Sequence, residues 1–133
     1  PEYRRLFELY RRHKVLIAFH SCGNITPIID VFLELGVDIL NPLQATANDL
    51  GEIRRRTQGR MCLHGGVRSD LIASGTIPEI QREARRLMWE LGRDGGYFCA
   101  PDQGIPWPEE HYAALEQAVA EYGRYPLAPP PAL

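Results

Sequence analysis

The sequence predicts an α/β protein in which one helix precedes four parallel strand–helix units, half the number in a (β/α)8 TIM barrel. Four short apolar runs are the first observation, because strands covered on both faces are continuously apolar. Helical segments before and between these runs are the second, since strands joined through helices run parallel. The third is length: a full barrel takes about 250 residues, and this chain has 133.

The helices and strands follow from local signals. The first helix places its aromatic and leucine side chains on one face and arginines on the other. The second has Thr26 as its N-cap, a proline in its first turn and Gly36 as its stop, and the fourth repeats this pattern. The predicted helices are residues 2–13, 26–36, 47–59, 76–92 and 107–123. The predicted strands are residues 15–19, 37–42, 60–66 and 96–101.

Composition excludes several classes of protein. A net charge of −2 argues against a nucleic-acid partner recognised by bulk charge. No apolar stretch approaches the roughly 20 residues that cross a bilayer. Three cysteines do not suggest a disulfide framework, so we expect a protein of the reducing cytoplasm.

The predicted domain is residues 1–125, followed by a proline-rich tail, residues 126–133, that is extended or disordered. A half-barrel alone leaves two strand edges and an apolar inner face uncovered. Three arrangements are open: a fragment of a longer enzyme, two halves that close a barrel, or an open sheet with extra cover. We favour the fragment, and we expect it to self-associate at high concentration.

Candidate functional residues follow each predicted strand, because parallel α/β folds place their chemistry at the carboxyl ends of the strands. The segment HSCGN at residues 20–24 contains a histidine and a cysteine one residue apart, which can hold a metal or can be ordinary residues beside a turn. The candidates are His20 and Cys22 after the first strand, Asn41 and Gln44 after the second, His64, Gly65 and Gly66 after the third, and Cys99, Asp102 and Gln103 after the fourth.

These candidates divide by chemistry. Asn41 and Gln44 can hydrogen-bond a substrate, although NPLQ also makes a sound turn. His64 is a candidate substrate contact, and the glycines that follow it allow a ligand close to the backbone. Asp102 and Gln103 are the candidate catalytic pair, with Asp102 orienting a substrate or acting as a base; stabilisation of the turn is an equal alternative for Asp102.

Three separated segments carry a family resemblance. HSCGNITPIIDVFLELGVDILNPLQ, LHGGV and GGYFCAPDQGIPWPEEHYAALEQAVAEYGRY resemble the carboxyl-terminal half of the uroporphyrinogen decarboxylase superfamily, over about residues 2–125. Within it the chain is most similar to the cobalamin- and corrinoid-dependent methyltransferases. The resemblance implies the carboxyl-terminal half of a (β/α)8 barrel that moves a methyl group from a corrinoid or methoxylated donor to a thiol-type acceptor.

The resemblance also implies a zinc site. Zinc-dependent methyltransferases of this group have a His-x-Cys pair that His20 and Cys22 match, and their zinc lowers the pKa of the acceptor thiol. Two positions depart from the pattern: Gln44 replaces a glutamate and Gln103 replaces a cysteine, which weighs against tight zinc binding. Cys99 lies four residues before Gln103, so on an extended strand both point into the barrel, and it is the candidate third ligand. The alternative is a buried apolar Cys99.

Two further functions remain open. In uroporphyrinogen decarboxylase, arginines and an aspartate of the amino-terminal half bind the substrate carboxylates. The family's late histidine falls here at Gln103. Both points weigh against decarboxylation, which is therefore the second alternative. The third is a non-catalytic half-barrel that needs a partner chain. The expected partners are the amino-terminal half-barrel or a second copy, and a corrinoid protein as methyl donor.

Overall fold

The structure is a computed structural model that describes residues 2–131. Its helices are α1 (Glu2–Arg12), α2 (Ile29–Leu35), α3 (Leu50–Thr57), α4 (Ser69–Ser74), α5 (Ile77–Gly92) and α6 (Glu109–Tyr122). Its strands are β1 (Ala18–His20), β2 (Ile39–Leu43), β3 (Cys62–Val67) and β4 (Tyr97–Pro101). A 3-10 turn, Thr26–Ile28, leads into α2. No helix within residues 2–131 is long and apolar enough to cross a membrane.

The four strands form one parallel sheet in the order β1-β2-β3-β4. This order is that of successive strands in a (β/α)8 barrel, so the predicted α/β half-barrel with a preceding helix is confirmed. Because β1 and β4 are the edges, each has one side without a strand partner among the described residues. All four carboxyl ends lie at one rim of the sheet, which we call the rim below.

The helices cover one face of the sheet. Leu40 of β2 and Leu63 of β3 are fully buried in the core between the sheet and its helices. Side chains at alternate positions point to the other face, which would line a barrel's interior. That inner face carries Asn41 and His64, both half-buried, and Phe98, which is 50% exposed.

Two predicted features differ from the structure, and a third agrees with it. The first strand begins at Ala18, where its pairing with Ile39 of β2 begins, and Leu16 before it is 74% exposed. Thr26 is not the predicted N-cap: it lies in the 3-10 turn, and the side chain before it makes no capping bond. Thr76 does cap α5, since its backbone N–H donates to Oε2 of Glu79 at 2.8 Å.

The tail is extended and lies against α5 in its described part. The hydroxyl of Tyr125 donates to the Gly92 carbonyl, and Leu127 packs against the core. Arg85 of α5 donates to the carbonyl of Pro129 at 3.1 Å. These contacts favour the extended alternative for residues 126–131; the rest of the predicted tail lies outside the described residues.

Candidate functional site

Four polar side chains from three neighbouring strands are connected by hydrogen bonds at the rim of the inner face. The thiol of Cys22 lies 3.3 Å from Nε2 of His20. Nδ1 of His20 lies 2.9 Å from Oδ1 of Asn41. Nδ2 of Asn41 lies 2.5 Å from Nδ1 of His64. The structure thus brings together four of the candidates that follow the first three strands.

Strand register brings these side chains together. His20 pairs with Asn41 in the β1–β2 ladder, and Leu40 pairs with Leu63 in the next, so Asn41 lies beside His64. Neighbouring positions in parallel strands share a face, which places the three polar side chains in a row. Gly23 follows with a φ of 80°, a left-handed conformation that suits glycine and turns the chain immediately after Cys22.

Gln44 supports the turn that carries Cys22. Its Oε1 accepts the backbone N–H of Gly23 at 2.9 Å. Asn48, which the sequence analysis missed, donates to the carbonyls of Gly23 and Gln44 and accepts the N–H of Ile25, each at 2.9 Å. The amide of Gln44 therefore holds the backbone next to the candidate site. Asn48 precedes α3 in a polar turn, and only that weak signal marks it in the sequence.

The two glycines after His64 allow other atoms of the sheet to approach the backbone of β3 closely. Gly65 and Gly66 have φ values of 116° and 91°, which side-chain-bearing residues rarely adopt. A Cβ on Gly65 would lie 2.9 Å from the backbone nitrogen of Leu43, and one on Gly66 would lie 3.1 Å from the hydroxyl of Tyr97. Close approach of protein atoms therefore explains both glycines, whereas the sequence alone suggested the approach of a ligand.

Asp102 joins three segments of the rim. The residue is 3% exposed, and its carboxylate accepts the N–H and the hydroxyl of Ser69, both at 2.9 Å, and the N–H of Ala45 at 3.1 Å. This geometry favours the turn-stabilising alternative. Gln103 meets the same serine through its backbone, because its N–H donates to Oγ of Ser69 at 2.9 Å. Within residues 2–131 the side-chain amide of Gln103 has no hydrogen-bond partner.

Ser69 is a second residue that the sequence analysis missed. It begins α4, a short helix absent from the predicted elements. The prediction ended the third strand at Gly66, whereas β3 continues to Val67. The rule that selects residues after each strand end would have reached Ser69 if the strand end had been known.

Cys99 is not brought to His20 and Cys22. Its thiol lies 3.9 Å from the carbonyl of Ala84 on α5, on the helix-covered face of the sheet, and burial raises its pKa to about 11. The expectation that Cys99 points into the barrel is corrected here. β4 ends at Pro101 and the chain then bends, so the alternation of side chains between the two faces of the sheet does not extend to Gln103. The buried, apolar alternative describes Cys99.

The distance between the side chains of Cys22 and His20 is close to that between two ligands of one tetrahedral zinc ion. Zinc lies about 2.3 Å from a sulfur ligand and about 2.0–2.1 Å from a nitrogen ligand, which puts two tetrahedral ligands about 3.5 Å apart. The Sγ–Nε2 distance of Cys22 and His20 is 3.3 Å, and Nδ1 of His20 contacts an amide oxygen as metal-bound histidines commonly do. Across residues 2–131, no three His, Cys, Asp or Glu side chains cluster closely enough for a complete site.

Comparison with known proteins agrees with this fold and rim. A barrel of parallel strands with polar residues at its carboxyl rim is the architecture of a large class of enzymes. The uroporphyrinogen decarboxylase (URO-D) family matches residues 1–122, so the chain belongs to that family. The resemblance noted from the sequence is thereby confirmed. No curated protein sequence matches the chain.

A solved structure shares the fold. It is a methyltransferase from Methanosarcina mazei, superposed with a TM-score of 0.70 at 22% sequence identity. The match covers 92% of this chain and 36% of that chain. This chain therefore spans little more than a third of the length of the methyltransferase, as half of a barrel with further segments would.

Proposed function

We propose that the chain is the carboxyl-terminal half of a methyl-transfer enzyme, in which His20 and Cys22 bind zinc at the rim. The observation that carries the proposal is the 3.3 Å separation of Cys22 Sγ and His20 Nε2, with the imidazole oriented by Asn41. The solved structure that shares this fold is a methyltransferase, which supports methyl transfer as the reaction class.

The residues of the chain have separate roles in this reaction. Cys22 and His20 would hold a zinc ion whose Lewis acidity would lower the pKa of an acceptor thiol. The thiolate sulfur would then form a bond to the methyl carbon as the bond between that carbon and the donor breaks, and the donor would leave with the electron pair. Cys22 and His20 offer one sulfur and one nitrogen, both on exposed side chains that an acceptor can reach. Asn41 keeps the ring of His20 in place, and Gln44 fixes the turn after Cys22. His64 and Phe98, with ring centroids 6.0 Å apart, form the inner wall for the substrate.

The other half of the barrel supplies what this half lacks. Leu16 at the β1 edge and Phe98 on the inner face are exposed apolar side chains that a closed barrel would cover. We infer that four further strand–helix units, from the amino-terminal half or from a second copy, pair with β1 and β4. Those units supply the remaining zinc ligands, and a corrinoid protein or a methoxylated compound supplies the methyl group.

The decarboxylase alternative has weaker support at this rim. A decarboxylase of this family needs a cation for the carboxylates of its substrate. Arg68 follows β3 directly, but it is paired with Asp70, which accepts its Nε–H at 3.0 Å. This pairing lowers the pKa of Asp70, so the guanidinium already has a carboxylate partner, in an exposed pair that contributes about 0–1 kcal/mol.

Metal analysis of the unchelated chain, purified together with the complementary half-barrel, tests the proposal. We expect about one zinc ion per assembled barrel by elemental mass spectrometry, and none when the chain carries the His20→Ala, Cys22→Ser double substitution. The matched control is His13→Ala, Cys62→Ser, which removes the same residue types away from the rim and should keep the zinc. No zinc in the assembled wild-type barrel, or equal zinc in the barrels of both variants, would contradict a His20–Cys22 site.

An activity assay tests the reaction class separately. The chain, mixed with a methylated cobalamin and a small thiol, should transfer the methyl group in the presence of the complementary half-barrel. Methyl transfer lost only in the rim variant supports the proposal. If the assembled barrel binds zinc and transfers no methyl group, the non-catalytic reading replaces it.

A further inference from the structure

The side chains of His20 and His64 contact opposite ends of one amide. Oδ1 of Asn41 faces Nδ1 of His20 at 2.9 Å, and Nδ2 of Asn41 faces Nδ1 of His64 at 2.5 Å. An amide oxygen only accepts hydrogen bonds and an amide nitrogen only donates them. The same ring atom, Nδ1, must therefore carry a proton in His20 and lack one in His64.

We infer that Asn41 is a positioning residue that locks the two imidazoles in opposite neutral tautomers. His20 then has its proton on Nδ1 and a free lone pair on Nε2. His64 has its lone pair on Nδ1 and its proton on Nε2. This inference goes beyond the proposed methyl transfer, and it stands whether or not the chain binds zinc.

The contact of His20 with Cys22 agrees with this assignment. A neutral thiol carries one S–H donor, and its sulfur is a weak acceptor. The Cys22 thiol lies 3.3 Å from Nε2 of His20, so it donates to the lone pair that the Nδ1–H tautomer leaves there. All the donors then point in one direction, from Cys22 through His20 and Asn41 to His64.

The assignment also determines what His64 offers to a ligand. Among residues 2–131, no acceptor lies within hydrogen-bond distance of its Nε2–H, and the ring faces Phe98 on the inner face. The group recognised there must be a hydrogen-bond acceptor next to an apolar surface, such as a carbonyl or carboxylate oxygen. An ammonium group, which can only donate, would find no lone pair at Nε2 of His64.

Nitrogen NMR of the metal-free, full 133-residue chain tests the inference. Long-range 1H–15N correlations of 15N-histidine report which ring nitrogen is protonated, at about pH 8.5 where ordinary imidazoles are neutral. We expect Nδ1–H for His20 and Nε2–H for His64, with the signals assigned from His20→Gln and His64→Gln variants. A wild-type spectrum with Nε2–H on His20 or Nδ1–H on His64 would overturn the inference.

Variants at position 41 test whether Asn41 determines the tautomers of His20 and His64. Asn41→Asp replaces the Nδ2 donor with a second acceptor oxygen, so Nδ1 of His64 should become protonated while His20 keeps its Nδ1–H. Asn41→Leu removes both partners, so His20 should lose its fixed Nδ1–H. His111 is the internal control, because its Nδ1 lies 2.7 Å from the carbonyl of Ile72 and must donate in every folded variant. An Asn41→Asp spectrum identical to that of the wild type would refute the role of Asn41.

Discussion

The carboxylate of Asp102 accepts two hydrogen bonds from Ser69, one from its backbone N–H and one from its hydroxyl, both at 2.9 Å. This contact joins the end of β4 to the start of α4. The N–H of Ala45 adds a third bond from the loop after β2. A nearly buried side chain thus connects the segments that follow three strands of the rim.

Replacing this carboxylate should destabilise the fold. In Asp102→Asn, an NH2 group takes the place of one acceptor oxygen and faces N–H donors, so at least one buried donor loses its partner. We expect the free energy of unfolding to fall by about 2–4 kcal/mol, since hydrogen bonds to charged groups contribute about 1.5–3 kcal/mol and an unsatisfied buried group adds to the loss. Urea unfolding followed by circular dichroism measures this change.

The matched control is Asp70→Asn. It removes an exposed carboxylate whose partner, Arg68, is also exposed, and exposed ion pairs contribute about 0–1 kcal/mol. Equal destabilisation by the two substitutions would show that Asp102 does not hold the rim together.

Cys99 should make the stability of the protein sensitive to alkaline pH. Burial raises the pKa of its thiol to about 11 from an ordinary value of 9.0, so the unfolded chain loses this proton first as the pH rises. The stabilisation is complete below about pH 9 and is lost as the pH rises to about 11, with a total of about 2–3 kcal/mol. Tyr97, whose pKa burial also raises, acts in the same direction from about pH 10 upward, where an unfolded tyrosine begins to ionise.

Urea unfolding at several pH values between about 8 and 11 measures this loss. Cys99→Ala should flatten the fall between about pH 9 and pH 10, below the range where Tyr97 contributes, whereas Cys22→Ala, which removes an exposed thiol, should leave the fall unchanged. A wild-type stability that stays constant over that interval would argue against a buried, neutral Cys99.

The sequence predicted the row of rim side chains on simple grounds. His20, Asn41 and His64 each lie near the end of an apolar run, and parallel strands bring such positions to one edge of a sheet. This prediction required knowledge of neither the register between the strands nor the tautomers of the two histidines. The hydrogen bonds between them could not be predicted, because they depend on which residue of β2 lies beside which residue of β3.

The orientation of Cys99 shows where the sequence was insufficient. Counting alternate residues back from Gln103 assumes that the strand stays extended, and the chain bends directly after Pro101. The predicted strand and β4 both end at Pro101, so the error came from extending the alternation of side chains two residues beyond that end. Ser69 was missed for a different reason, because β3 continues to Val67 and α4 begins two residues later.

Asn41 should tune metal affinity from outside the ligand set. A hydrogen bond to the second ring nitrogen of a metal-bound histidine orients the ring, and its removal typically weakens metal binding about 10–100-fold. Asn41→Leu should therefore weaken zinc binding by about that factor, measured by competition with a zinc-binding dye. Gln58→Leu, which removes an exposed amide on the end of α3, is the control and should bind zinc as the wild type does. Unchanged affinity in Asn41→Leu would place the zinc elsewhere.

The uncovered strand edge should drive association of the chain. Leu16 is 74% exposed beside β1, and burying a leucine side chain is worth about 1.5–3 kcal/mol. Leu16→Glu should therefore raise the dissociation constant of any self-associated form about 10–100-fold, which sedimentation equilibrium measures. Ile77→Glu changes an exposed apolar residue at the start of α5, in the helical layer, and should leave the constant unchanged. A wild-type chain that stays monomeric at high concentration, or equal weakening by both substitutions, would show that the strand edge is not the surface that associates.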